Sequence, residues 1–159
     1  MWKEVLQSIE EYYLGEIENL QKRIDENADS AAKSPGSMQS WSDKSKQEFT
    51  QLADALSKDI PPLQASLKQI SFIVAESKIN GENISLGSIV KVQYPGEEND
   101  EYLVIVPVAG GNLITVDDKD FFLLSEKSDL GKSLLNKKRG DKVNLKSGSE
   151  VLITEIINS

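Results

Sequence analysis

Leu6, Ile9, Tyr13, Ile17, Leu20, Ile24 and Ala28 recur at spacings of three and four residues, the step that keeps one apolar stripe on one side of a helix. The rhythm returns in Ser45, Phe49, Leu52, Leu56, Leu63, Leu67, Ile70 and Val74. Two long amphipathic helices follow from it. Between them, Asn27 to Ser37 is small and polar and ends on Pro35-Gly36, a turn signal. So short a connection predicts an antiparallel helical hairpin with arms roughly 40 Å long at 1.5 Å per residue. Ser42 or Asp43 is the N-cap expected for the second arm. Pro61-Pro62 predicts a kink or two helices meeting end to end, because proline inside a helix removes a hydrogen bond and clashes with the preceding turn.

From Asn80 the pattern changes. Ile89 to Val92, Tyr102 to Pro107, Leu113 to Val116, Val143 to Leu145 and Val151 to Ile157 are short runs rich in β-branched residues, separated by Gly, Asn and Asp, as strands and turns are. A helical piece, Ser128 to Leu135, interrupts them, with Ser128 as its expected N-cap. The predicted class is α+β, a helical hairpin or coiled coil over 1–76 with its tip near 29–43, a linker over 77–83, and a small antiparallel β domain with one short helix over 84–159.

The 159 residues suffice for this plan but not for a large enzyme with a separate cofactor domain. A chain 38% hydrophobic and 28% charged is expected to bury a core. Neither Cys nor His occurs, which removes disulfides, thiolate or imidazole metal sites and Ser-His-Asp catalysis. A net charge of −8 argues against autonomous binding of duplex DNA, which rests on neutralising phosphates with Lys and Arg. A basic protein surface is the better partner by charge. No apolar run has the length of a signal peptide or membrane span, so the expected address is the cytoplasm.

Gly131-Lys132-Ser133 resembles the end of a phosphate-binding loop, but Glu126 stands where that loop needs glycine. Asn83-Ile84-Ser85 has the form of a glycosylation acceptor without an export signal to give it meaning. The most specific stretch is Ser128 to Val143, Ser-Asp-Leu-Gly-Lys-Ser-Leu-Leu-Asn-Lys-Lys-Arg-Gly-Asp-Lys-Val. It resembles the signature of the C-terminal domain of the Gre-family transcript cleavage factors of bacterial RNA polymerase. Ile84 to Val92 resembles that domain's opening strand, and Glu150 to Ile157 its closing one. The tip segment, Ser37 to Asp43, looks closer to a divergent branch of Gre-like proteins.

The resemblance implies an FKBP-like second domain and a hairpin inserted in the polymerase's secondary channel, where tip carboxylates reach the active-site magnesium. Hard divalent cations prefer such oxygen ligands. It places Asp43 as the metal-contacting residue, shared with the polymerase, within a tip containing Met38, Trp41, Ser45 and Lys46. Lys46 stands where the family has a metal-binding Glu, exchanging an acceptor for a cation that repels Mg²⁺. Asp25, Glu26 and Asp29 are acidic neighbours on the first arm, and equally a solvated helix face. Ser128, Asp129, Leu130 and Gly131 fall at the family's contact with the channel rim, with Asp129 in place of the usual proline.

The expectation is therefore an accessory factor, not an enzyme in its own right. Its expected partner is RNA polymerase, its contact with nascent RNA is indirect, and it binds no membrane. No cofactor is expected to bind stably, with Mg²⁺ only inside the polymerase complex. As the hairpin satisfies its own stripe, a monomer is expected. Two alternatives stay open: a Gre-like inhibitor or pausing regulator without cleavage activity, and a non-transcriptional interaction module built from a coiled coil and an FKBP-like unit. Prolyl isomerase activity fits poorly, because Phe121, Phe122, Tyr94 and Tyr102 fall at strand or core positions rather than around a pocket.

Overall fold

Helix α1 runs from Trp2 to Lys33, longer than the polar composition after Asn27 implied. Ala28, Ala31 and Ala32 are strong helix formers and carry it on. The computed structural model describes residues 1–33, 39–108 and 110–159, and within them the side chains outside 29–46. The Pro35-Gly36 turn and Met38 lie outside the described residues. Helix α2 spans Gln39–Ser57, so Ser42 and Asp43 fall inside it and neither is its N-cap. Helix α3, Ile60–Glu76, follows end to end. Pro61 and Pro62 occupy its first turn, where the missing N–H groups have no intrahelical acceptor to lose.

Strands β1 (Ile89–Gln93), β2 (Glu101–Val106), β3 (Leu113–Val116) and β4 (Lys119–Ser125) precede the short helix α4 (Asp129–Leu134), and β5 (Lys142–Asn144) and β6 (Glu150–Ile157) follow it. The class is α+β, helices first and then one six-stranded sheet in the order β3-β4-β2-β1-β6-β5. By internal contacts the chain forms two compact units, Met1–Glu11 with Ser66–Ser159, and Tyr12–Ala65.

The apolar stripe is buried unevenly along its length. In the first unit Trp2, Val5, Leu6, Ile9 and Ile70 are buried. The Ser71 hydroxyl of α3 donates to Glu10 Oε2 of α1 at 2.8 Å, as two antiparallel arms require. In the second unit Tyr13, Ala53, Leu56 and Leu63 are buried. Ile17, Leu20 and Ile24 are half-buried and Ala28 is exposed. Leu52, read as part of the stripe, is 46% exposed while its neighbour Ala53 is buried. Among the described residues no helix is long and apolar enough to cross a membrane.

The sheet packs side chains on both faces. Val90, Val92, Leu103, Ile105, Leu124, Val151 and Ile153 join Leu134 of α4 in one cluster. Ile89, Val104, Val106, Phe121 and Leu123 alternate with them and are also buried. Strand β6 keeps its apolar side inward through a bulge. Val92 pairs with Ile153 but Lys91 with Glu155, leaving Thr154 as the extra residue, its hydroxyl donating to the Lys91 carbonyl at 3.0 Å. Ile156 thereby packs on the same cluster as Ile153, which strict alternation would forbid.

The sheet is mixed, against the wholly antiparallel arrangement expected, because β2 and β4 run parallel. Strand β4 has no counterpart among the predicted runs. It forms a hairpin with β3 through Asp117 and Asp118, at φ 50° and 63°, the paired positive φ of a tight hairpin turn. Since β3 takes the edge and β4 the inner position, β4 runs alongside β2 in the same direction.

Candidate protein-docking site

Strand β4 delivers the chain to α4 through three residues tied to the end of the strand. The Ser128 hydroxyl donates to the Ser125 carbonyl at 2.7 Å and accepts from Gly131 N at 3.0 Å, satisfying one of the free N–H groups of the first turn. Ser128 N donates to the same Ser125 carbonyl at 3.1 Å, and Lys127 N donates to Ser125 Oγ at 3.2 Å. Gly131 is buried, and a Cβ there would lie 2.0 Å from the Ser125 oxygen. Only glycine lets α4 come this close to the strand.

The next features of the segment are also structural. Leu135 caps the end of α4, and Asn136 turns the chain away at φ 66°. The chain then exchanges two hydrogen bonds with Ile84, Ile84 N to Lys137 O at 2.9 Å and Asn136 N to Ile84 O at 2.8 Å. Lys138 to Asp141 forms a turn, with Asp141 N donating to Lys138 O at 3.1 Å and Gly140 at φ 89°, the third-position conformation that favours glycine. Lys138 N returns a bond to Asp141 Oδ2 at 2.8 Å. Gly140 N to Ile153 O and Ile153 N to Asp141 O hook this turn onto β6.

These constraints leave Asp129 exposed and Leu130 half-buried against the core cluster. Lys146 Nζ lies 2.6 Å from Asp129 Oδ2. Its hydrogen bond and charge hold the Asp129 carboxyl below the usual carboxylate range, and Asp129 raises the Lys146 ammonium in return. Ser128, Asp129, Leu130 and Gly131 thus share one hydrogen-bonded junction. Ser125, which organises it, was not singled out from sequence, since a Ser closing an apolar run carries no distinctive pattern.

The predicted tip residues are distributed differently. Trp41, Asp43, Ser45 and Lys46 fall in the first turns of α2, within the stretch whose side chains are not described, and Met38 lies outside the described residues. On α1, Gln21 Nε2 donates to Asp25 Oδ1 at 3.0 Å, and Asp25 and Glu26 are exposed. Among the described residues no three acidic side chains group closely enough to hold a metal ion. Phe121 is fully buried, but against expectation Phe122, although it packs on the core cluster, also lines an open surface hollow with Tyr102 and Leu113, and Tyr94 lines another.

No protein-family model matches the chain, and no curated protein matches it. Among solved structures it is similar to the GreA factor homolog 1 (Gfh1) protein of Thermus thermophilus, at 20% identity and a TM-score of 0.37, with 94% of each chain covered. It is also similar to Thermus aquaticus Gfh1, at 19% identity and a TM-score of 0.35 over 87% of this chain and 92% of that one. A third structure, of the transcription factor Gfh1, matches at 22% identity and a TM-score of 0.38 over 92% of each chain. At these scores the fold stands on the chain's own element order and strand pairing.

Proposed function

We propose that the protein is an accessory factor of a bacterial-type RNA polymerase, its helical hairpin entering the secondary channel and its FKBP-like β domain docking at the rim through Ser128, Asp129, Leu130 and Gly131. The observation that carries this reading is the way the Gre-like segment is built. Ser128 caps α4 on Ser125, Gly131 permits the close approach, and Gly140-Asp141 anchors the following turn. The residues that make the sequence resemble that signature are the ones that fix the junction, and Asp129 stands exposed at its end.

In this reading the protein supplies no catalytic centre. Asp43 offers one carboxylate, followed three residues later by Lys46, so the chain's own donors do not make a resident Mg²⁺ site. Magnesium enters only as the polymerase's ion, and nascent RNA is reached only through the polymerase, in the cytoplasm. Lys46 favours a second form of the same reading, in which the factor occupies the channel and inhibits or pauses the enzyme without recruiting metal.

The test is a pull-down with RNA polymerase followed by a cleavage assay on stalled complexes holding backtracked RNA. Binding is expected, and its absence would sink the proposal. Cleavage that is lost in Asp43→Ala supports the activating form. Binding without cleavage, with activity appearing in Lys46→Glu, supports the inhibitory one.

A further inference from the structure

Residues 127–146 hold seven basic and two acidic side chains, a net charge of +5 within a chain whose total is −8. The remainder therefore carries −13. All seven cations are exposed. Lys146 is held by Asp129, and Lys142 approaches Glu150 at 3.9 Å. Among the described residues Lys127, Lys132, Lys137, Lys138 and Arg139 form no ion pair. Concentrating unpaired cations in one segment costs electrostatic repulsion, and Glu82 and Glu155, which line the hollow beside Lys138 and Arg139, form no ion pair with them.

The backbone under these cations is fixed. The run Lys137-Lys138-Arg139 is pinned by Ile84 N on Lys137 O at 2.9 Å and by Gly140 N on Ile153 O at 2.8 Å. The Asp141 carboxylate holds it again through Lys138 N. A partner therefore has little backbone to order on binding, which lowers the cost of association. The segment ends on β5, an edge strand of the sheet.

We infer that this basic segment, centred on Lys137, Lys138 and Arg139 and bordered by Glu82 and Glu155, binds an acidic segment of a partner protein. Two features favour that occupant over nucleic acid. Residues 127–146 contain no Phe, Tyr, Trp or His, whereas surfaces for single strands interleave their cations with aromatic rings on which bases stack. A nucleic acid also extends its phosphates well past a short patch, into the field of the remaining −13 charge. A protein segment with a few carboxylates stays on the patch. The inference names a contact chemistry and does not require that the partner be RNA polymerase, whose binding is tested separately by pull-down.

The experiment uses the full chain in fluorescence anisotropy titrations with two labelled probes, a glutamate-rich peptide and an oligouridylate of equal net charge. Each is measured at low and at physiological salt. The peptide is expected to bind at low salt and weaken as salt rises. The triple variant Lys137→Glu, Lys138→Glu, Arg139→Glu, with folding checked by circular dichroism, should lose about tenfold or more in affinity, each reversed contact being worth a fraction of a decade or more. Lys68→Glu, an exposed site on α3, should change it by less than about twofold. Absence of peptide binding, equal binding by the triple variant, or tighter binding of the oligouridylate overturns the inference. Should the triple variant unfold, Arg139→Gln and Lys137→Gln replace it as single neutralisations, and each must weaken the peptide for the inference to stand.

Discussion

The indole Nε1–H of Trp2 donates to the carbonyl oxygen of Gly87 across 3.0 Å, joining the first turn of α1 to a turn 85 residues further along the chain. Trp2 is 2% exposed, so neither group has water as a ready substitute. Gly87 itself sits at φ 86°, and a Cβ there would press on Ile73 and Ile79 at 3.2 to 3.3 Å. Trp2→Phe keeps an aromatic ring but strands the carbonyl, at an expected cost of about 1–3 kcal/mol. Gly87→Ala adds left-handed strain and crowding, on the order of 1–3 kcal/mol. Chemical denaturation of the two single variants measures both costs, and unchanged midpoints would show that this link holds nothing.

The junction at the end of β4 separates a severe substitution from a mild one. Gly131→Ala places a methyl 2.0 Å from a backbone oxygen that cannot rotate away, so it should cost about 3 kcal/mol or more. Ser128→Ala removes only the cap, at about 1 kcal/mol. Thermal unfolding followed by near-UV circular dichroism ranks them, and a Gly131→Ala protein as stable as Ser128→Ala would mean that α4 moves freely against the strand.

The ion pair of Asp129 and Lys146 sets a pH dependence with a definite sign. The folded pKa of Asp129 is lowered by Lys146, so the carboxylate's contribution is present above its unfolded value and fades as pH falls through the folded one. The folded pKa of Lys146 is raised by Asp129, so its contribution is complete below the unfolded lysine value and is lost as pH rises through the raised one. Between these limits the pair is flat with pH, and salt weakens it because both side chains are exposed. An NMR titration of the Asp129 carboxyl should show its midpoint moving up in Lys146→Met. An unmoved midpoint would mean that the contact is not populated in solution.

Why some of this was legible from sequence and some was not follows from the range of each interaction. The helical arms are written in local spacing, and so is the Ser128 cap, since both arise within a turn or two of chain. The β6 bulge at Thr154 and the parallel pairing of β4 with β2 depend on which strands become neighbours, and the residues concerned carry no local mark of it. Pro61-Pro62 allowed two outcomes, and the choice fell to the first turn of α3, where proline loses no helical bond. The Gre-like segment proved to be a set of turns and close approaches. The exposed residue it presents, Asp129, acquires its partner, Lys146, from 17 positions further along the chain.

A last contact ties the linker to the final strand. Asn158 Nδ2 donates to the carbonyls of Gly81 and Asn83 at 3.2 and 3.4 Å, while its Oδ1 accepts from the Ser88 hydroxyl at 2.5 Å. Its own carbonyl accepts from Ile79 N at 2.7 Å. Asn158 thus contacts Ile79, Gly81, Asn83 and Ser88. Asn158→Asp keeps the acceptor for Ser88 but turns the donor into an anion facing two carbonyls, which is worse than removal. Asn158→Ala should therefore cost about 1–2 kcal/mol and Asn158→Asp about 1 kcal/mol more. Amide hydrogen exchange should quicken at Ile79 in both variants, while exchange at Ile105 N, bonded to the Ser88 carbonyl at 3.1 Å, stays unchanged. Equal loss of protection at both amides would mean that the variants loosen the whole β domain and that Asn158 has no separate hold on the linker.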